Sequence, residues 1–169
     1  MTNSNTAARP NTSERANTDD REIVISRVLN APRELVFEAW TNPEHVGVWW
    51  GPTGFTTTTA SIDVRVGGAW RFVMHGPDGM DFPNRIVFIE IVRPERLVYD
   101  HDDDADNGPI SFRTVVTFDD LGTKTRLTMR SVFPTAEQRD FVVREFHAIE
   151  GGQQHVGRLE AFLETLRSK

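Results

Sequence analysis

Four side chains are candidates for acid–base chemistry: Asp63, Arg65, His75 and Tyr99. Asp63 and Arg65 stand two positions apart, so on a strand they share one face. There they can pair with each other, anchor the Gly67-Gly68 turn or supply a catalytic carboxylate. We favour the structural role for this pair, and a surface position over proton transfer at a cavity mouth for His75.

Metal and phosphate chemistry find little support in the sequence. The five histidines, at 45, 75, 101, 147 and 155, form no short metal spacing, and none lies near a serine nucleophile motif. Asp102, Asp104 and Asp106 alternate as in an EF-hand loop, but the glycine comes one position late and the twelfth-position glutamate is missing. We therefore interpret 100–108 as a solvated acidic hairpin loop. The Gly67-Gly68 pair lacks the other features of a phosphate loop, so we predict no metal and no cofactor.

The composition is that of one globular domain. The chain has 169 residues, of which 38% are hydrophobic and 26% charged, with a net charge of −6 and no cysteine. The charge argues against nucleic-acid binding, and the missing cysteines exclude disulfides and thiolate catalysis. No apolar run approaches the ~18 residues of a membrane span, so we expect no membrane insertion and a cytoplasmic location.

The first 21 residues contain no aromatic and no branched aliphatic side chain. Such a segment buries too little apolar surface to offset the entropy of ordering. We predict a disordered polar tail over 1–21 and a single domain over 22–169.

The hydrophobic pattern of this domain predicts an α+β fold. A strand at 22–30 is followed by two short helices, which begin at Pro32 and near Pro43 and end at Gly51-Pro52. Six further strands follow, each alternating or strongly apolar: 56–66, 68–75, 84–94, 96–101, 109–120 and 123–133. Their apolar and charged faces indicate an antiparallel sheet covered on one side only.

The cover is predicted to be one C-terminal helix of about 30 residues, starting at the capping box of Thr135 and Gln138. Gly151-Gly152 lies in the middle of it and suggests a bend or a close approach of another element. In the Trp49-Trp50 pair only one ring can point inward if both residues are helical, which leaves the other for a cavity rim or an interface.

This order of elements resembles the START-like (SRPBCC) superfamily and, within it, the family of activators of the ATPase of the ninety-kilodalton heat-shock protein. The similarity covers residues 22–167. It is carried by the order of these matching positions: Arg27, Ala31-Pro32, Val36-Phe37, Ala39-Trp40, Pro43, Trp49-Trp50-Gly51-Pro52, Asp63, Arg65, Gly67-Gly68, Pro94-Glu95-Arg96-Leu97 and Gly151.

The resemblance implies a helix-grip (birch-pollen-allergen-like) fold, in which a curved antiparallel sheet wraps around a long C-terminal helix and encloses a hydrophobic cavity. It implies no common reaction. The family name comes from eukaryotic co-chaperones that carry an additional N-terminal domain, in place of which this sequence has a short polar tail. Members often have an aromatic residue after the mid-helix glycine, whereas here Gly152 and Gln153 follow, which suggests a roomier or more polar cavity.

The sequence leaves three functions open. The first is binding of a small apolar or amphipathic molecule in the cavity. Thr114, Ser131 and Gln153 would orient its polar atoms. The walls of the cavity would be formed by Trp70, Phe72, Met74, Val87, Ile89, Phe112, Val116, Leu127, Met129 and Phe146. The alternative for Trp70, Phe72 and Met74 is that their side chains pack in an ordinary hydrophobic core. The second is a cyclase- or aromatase-like enzyme, or a hydrolytic enzyme, using the same cavity. The third is a chaperone-binding protein with an exposed apolar patch at Trp49 or Trp50. A homodimer is left open.

Overall fold

The computed structural model describes residues 19–105 and 111–167. Seven strands make up the sheet: β1 (Glu22–Leu29), β2 (Thr56–Ile62), β3 (Ala69–His75), β4 (Asp81–Val92), β5 (Arg96–Asp102), β6 (Ser111–Asp120) and β7 (Thr125–Val132). Four α-helices accompany them: α1 (Arg33–Thr41), α2 (Pro43–Trp49), α3 (Ala136–Phe146) and α4 (Ala148–Arg167). The predicted α+β helix-grip fold is confirmed.

All neighbouring strands pair antiparallel, in the order β1-β7-β6-β5-β4-β3-β2. The sequence meanders from β2 to β7, and β1 returns to pair with β7 at the edge. All four helices lie on one face, where they cover the hydrophobic core, and the other face carries charged side chains such as Arg126 and Arg130. The predicted one-sided cover is therefore present.

The polar tail prediction falls mostly on residues 1–18, which lie outside the described residues. Asp19–Arg21 form a short 3-10 helix. The Arg21 guanidinium donates a 2.6 Å hydrogen bond to the carbonyl oxygen of Phe133, which joins this turn to the end of β7.

Two predicted helix starts have the expected caps. The Asn42 side chain accepts from the backbone N–H of Glu44 at the start of α2, where Pro43 is the first helical residue. The Thr135 hydroxyl accepts from the N–H of Gln138 at the start of α3.

The single C-terminal helix of about 30 residues is a wrong prediction. His147 adopts a left-handed conformation (φ 52°) and divides the segment into α3 and α4. The break falls four residues before Gly151, so the glycine pair lies inside α4 instead of at a bend. The helical spacing of apolar residues still gives the buried positions Val156, Leu159 and Leu163, whereas Ile149 next to the break is exposed.

The face predicted for part of β4 is also wrong. A bulge between Phe88 and Glu90 shifts the register with β5. Ile86 and Phe88 are buried, whereas Ile89 is 37% exposed and Val87 lies on the outer side with it. Ile91, beyond the bulge, packs against the core as predicted.

Both tryptophans of the Trp49-Trp50 pair are buried, with exposed fractions of 2% and 4%. The prediction assumed that both are helical, but α2 ends at Trp49 and Trp50 is extended (φ −62°, ψ 138°). Leaving the helix frees the Trp50 ring to turn inward, where it stacks edge-on against Trp70 with centroids 4.9 Å apart.

Candidate functional site

A cavity of about 260 Å³ lies between the sheet and the start of α4. Its walls are mostly apolar and come from strands β1, β3, β5, β6 and β7, the segment after α2, and the α3–α4 junction. The lining residues are Ile23, Ile25, Trp50, Gly51, Pro52, Met74, Tyr99, His101, Phe112, Thr114, Met129, Ser131, Phe133, Phe146, Ala148, Gly151, Gly152 and His155.

Partial coverage of the sheet explains why a cavity exists there. Helix α1 packs on one half of the sheet, where Phe37 and Trp40 contact Phe118 with ring centroids 5.0 and 6.0 Å apart. That half is filled core. The other half of the sheet, with Phe112 and Thr114 of β6 and Met129 and Ser131 of β7, lines the cavity together with Gly151 of α4. Gly151 has no side chain that would enter this space.

The two glycines differ in their surroundings. A Cβ on Gly152 would lie only 3.0 Å from Cγ1 of Ile25, so glycine at this position permits close packing of α4 on β1, and a larger residue would have to displace Ile25. A Cβ on Gly151 would meet Pro52 at an ordinary 3.8 Å. The predicted close approach is therefore confirmed at Gly152.

His155 connects α4 to the segment after α2. Its Nδ1 accepts a 3.0 Å hydrogen bond from the backbone N–H of Gly51, and its ring lies 4.5 Å from that of Trp50. Gly51 has φ 101°, and a Cβ there would be 2.9 Å from the Met74 methyl carbon, so this position requires glycine. Arg158 donates to the carbonyl oxygens of Trp50, Gly51 and Pro52 at 3.0–3.1 Å and fixes the same segment.

A second histidine lines the cavity from β5. His101 Nε2 lies 2.7 Å from the side-chain oxygen of Asn84, and the Asn84 amide donates to the carbonyl oxygen of Phe82 at 2.8 Å. The ring packs against Phe112 with centroids 4.8 Å apart.

Hydroxyl groups complete the polar part of the cavity. The hydroxyls of Thr114 and Ser131 face each other at 3.0 Å across β6 and β7. Tyr99 is 2% exposed and lines the cavity between them and Trp50.

Burial keeps these titratable groups neutral. It lowers the pKa of His155 to about 3, with smaller contributions in the same direction from His101 and Arg158. It lowers the pKa of His101 to about 4 against an opposing effect of Asp102. It raises the pKa of Tyr99 well above the usual tyrosine value, while Thr114 and Trp40 act in the opposite direction. The cavity therefore offers neutral hydrogen-bonding groups.

The structure brings six of the thirteen predicted ligand-binding residues together at the cavity: Met74, Phe112, Thr114, Met129, Ser131 and Phe146. Phe146 ends α3 and is 48% exposed, which places it at the rim. Whether these residues bind a ligand stays a prediction.

The other seven predicted residues lie elsewhere, for three physical reasons. Four are filled core, because Trp50 covers the stacked Trp70 and Phe72, and α1 covers the half of the sheet that holds Val116 and Leu127. Val87 and Ile89 face outward, because of the β4 bulge. Gln153 is exposed and contacts Arg27, because it lies beside the buried side of α4, which carries Val156 and Leu159.

Of the four acid–base candidates, only Tyr99 lines the cavity. Asp63 and Arg65 form an exposed ion pair of 2.6 Å next to the Gly67-Gly68 turn, in line with the structural role that we favoured. His75 lies on the surface between Thr58 and Asp81, at 2.8 and 2.7 Å. In the acidic segment, Asp102 and Asp104 pair with Arg85 and Arg71, and Asp106 lies outside the described residues.

Sequence reasoning missed both cavity histidines. Alternation along β5 places His101 on the face of Leu97 and Tyr99, so that signal was available. His155 lies four residues before the apolar Leu159 and eight before Leu163, so helical spacing was a signal for it too.

No group of three or more possible metal-ligating side chains occurs within 19–105 and 111–167. No helix in these same ranges is long and apolar enough to cross a membrane.

The sheet order, the two helices after β1 and the long helix lying over the cavity define a helix-grip protein of the START-like (SRPBCC) superfamily. More narrowly, the chain belongs to the family described as "Activator of Hsp90 ATPase homolog 1-like protein", whose model matches residues 30–164.

Solved structures from several bacteria are similar over nearly the whole domain. A protein from Nitrosomonas europaea is 25% identical with a TM-score of 0.78, and the match covers 89% of this chain and 98% of that one. A protein from Arthrobacter aurescens is 25% identical with a TM-score of 0.80 and 88% coverage of both chains. The AHSA1 protein of Silicibacter pomeroyi, at 19% identity, a TM-score of 0.69 and coverage of 85% and 98%, shares the fold. Among curated proteins, none matches the chain.

Proposed function

We propose that the protein binds a small apolar or amphipathic molecule in the cavity between the sheet and α4. The observation that carries the proposal is an apolar space of about 260 Å³ between the sheet and α4. Ligand sites are concave and mostly apolar with a few placed polar groups, and drug-sized ligands occupy ~300–1,000 Å³. A space just below that range favours a small ligand. We place this binding in the cytoplasm, in accord with the absence of cysteine.

Filling the cavity tests the proposal. Gly151 lines the space and accepts a Cβ without close contact, so Gly151→Leu adds a side chain there without displacing the backbone. The probe is N-phenyl-1-naphthylamine, a neutral dye whose fluorescence rises in apolar surroundings. We expect saturable binding to the wild-type protein and at least ~tenfold weaker binding to the variant, the loss that corresponds to about 1.4 kcal/mol.

The matched control is Gly151→Ala, which changes the same helical position but adds only one carbon. It is expected to keep most of the dye affinity. Equal dye binding by the wild-type protein and Gly151→Leu, with both folded, would show that the dye binds elsewhere and would contradict the proposal.

An enzymatic use of the cavity has weaker support. Three of the four acid–base candidates, Asp63, Arg65 and His75, lie on the surface. The remaining one, Tyr99, stays protonated because its pKa is raised, so it is suited to donating a hydrogen bond and unsuited to acting as a base.

The chaperone hypothesis required an exposed apolar patch at Trp49 or Trp50. Both rings are buried, at 2% and 4% exposure. Pull-down with a heat-shock protein 90 from the same cell remains the direct test of that partner, and we favour the small-molecule proposal over it.

A further inference from the structure

The hydrogen-bond partners of His155 fix which of its ring nitrogens carries the proton. The backbone N–H of Gly51 can only donate, so Nδ1 of His155 is the acceptor and the proton of the neutral ring is on Nε2. Nε2–H has no hydrogen-bond partner among the described residues. The His155 side chain is only 8% exposed, but its Nε2 atom keeps some accessible surface. The Nδ1 atom of His45, in contrast, is fully buried without a partner. His155 thus offers an unused donor.

The partners of His101 fix the opposite arrangement. The carbonyl oxygen of Phe82 can only accept, so it orients the Asn84 amide with its nitrogen toward Phe82 and its oxygen toward His101. His101 Nε2 must then carry the proton. The Nδ1 lone pair has no partner among the described residues and keeps accessible surface. His101 thus offers an unused acceptor.

The rings of His101 and His155 line the same cavity, and both lie next to the Trp50 ring. The centroid of Trp50 is 4.5 Å from that of His155 and 6.4 Å from that of His101. None of the lining residues is an acid, a lysine or an arginine. A buried charged group without a partner costs far more than a neutral polar group that is hydrogen-bonded. The walls therefore match a neutral ligand with both a donor and an acceptor.

We propose that the ligand is a neutral apolar molecule carrying a hydroxyl group, such as a phenol, an enol or an alcohol, which donates to Nδ1 of His101 and accepts from Nε2–H of His155. The inference rests on the proposed function, since it names the ligand class of the same cavity. It assigns His101 and His155 as ligand-orienting residues.

Three bicyclic probes of nearly equal shape separate this ligand class from simple apolar binding: naphthalene, 2-naphthol and 2-naphthoate. Each is titrated as a competitor of N-phenyl-1-naphthylamine on the wild-type protein. We expect 2-naphthol to bind about tenfold more tightly than naphthalene, the gain of one net hydrogen bond, although it is the less hydrophobic of the two. We expect 2-naphthoate to bind most weakly, because its charge has no partner.

Two substitutions remove one unused atom each and keep the structural hydrogen bond. His155→Asn retains an acceptor for the Gly51 N–H, but the shorter side chain places no donor at the Nε2 position. His101→Gln retains a donor for Asn84, but places no acceptor at the Nδ1 position. In both variants the preference for 2-naphthol over naphthalene should fall to within about twofold, while naphthalene affinity changes little. His75→Gln, which alters a surface histidine away from the cavity, should keep the full preference.

The outcomes distinguish the two proposals. Equal affinity for naphthalene and 2-naphthol, or tightest binding of 2-naphthoate, would overturn the hydroxyl assignment while leaving apolar binding intact. Failure of the dye and all three probes to bind would overturn the proposed function as well. If a histidine variant does not fold, the three-probe comparison on the wild-type protein still decides.

Discussion

At the residue scale, the site depends on two histidines that folding holds neutral. His155 lies among three tryptophan rings, and His101 lies between β4 and β6. In each histidine, one ring nitrogen is hydrogen-bonded within the protein, to Gly51 or to Asn84. The other ring nitrogen has no such partner among the described residues and keeps accessible surface. In the proposed binding mode, each histidine side chain thus makes one structural hydrogen bond and one hydrogen bond to the ligand.

These histidines should make stability depend on pH below neutrality. In the unfolded chain a histidine titrates near pH 6.5, whereas the folded values are about 3 for His155 and about 4 for His101. Between these limits the unfolded state binds more protons, so the free energy of unfolding falls as pH falls. The slope from His155 is at most about 1.4 kcal/mol per pH unit, and it vanishes above pH 6.5.

Urea denaturation from pH 7.5 to pH 4.5 checks this, with His155→Asn as the comparison. At neutral pH the variant should be less stable, because it loses ring packing. On acidification the difference between the two proteins should shrink, since the variant lacks this proton-binding site in the unfolded state. Parallel stability curves over the whole range would contradict a neutral, buried His155.

The sequence could not reveal these roles, because they arise from long-range contacts. The Gly51–His155 hydrogen bond joins residues 104 positions apart, and the tautomer of His101 depends on an asparagine on a neighbouring strand. Thr114 and Ser131 were identified because alternation along a strand is local information. Their pairing at 3.0 Å needed the register of β6 and β7.

At the element scale, the adjacent glycines of α4 have different functions. Gly152 permits contact with Ile25 on β1, whereas Gly151 faces Pro52 across an ordinary distance. Removing the two glycines one at a time should therefore have opposite effects on stability.

We expect Gly151→Ala to raise the free energy of unfolding by up to about 1 kcal/mol, because alanine is the better helix former. We expect Gly152→Ala to lower it, since the 3.0 Å contact with the buried Ile25 outweighs the same gain in helix propensity. Chemical denaturation of the two variants in parallel measures both. A comparable stabilisation by both substitutions would contradict the close packing of α4 on β1.

The sequence predicts where the strands and helix starts lie. It does not predict everywhere which side chains face the core. All seven strands and the caps at Asn42 and Thr135 follow from local patterns that the structure confirms. The phase fails where one residue interrupts it, at the β4 bulge and at the left-handed His147. A histidine with positive φ carries no sequence signal of the kind that glycine supplies. Along α4 the apolar spacing therefore fails only near the break, at Ile149 and Gln153, and correctly gives the buried Val156, Leu159 and Leu163.

At the scale of the whole molecule, the cavity follows from uneven coverage of one sheet. Helix α1 and the tryptophans fill one half, whereas the cavity lies over the other half, next to Gly151 of α4. The family resemblance predicted an internal cavity but not which residues line it. Trp70 and Phe72 are therefore core, while Ile23 and Phe133, which were not predicted, line the cavity.

The central claim is that this cavity holds a small neutral molecule. Native mass spectrometry of the purified protein, before and after gentle denaturation, tests it most directly and requires no prior choice of ligand. We predict a reproducible small-molecule adduct on the wild-type protein that is released only on unfolding and is lost in Gly151→Leu. An adduct of equal abundance on Gly151→Leu, or an unliganded mass that persists when 2-naphthol is added at saturating concentration, would contradict it.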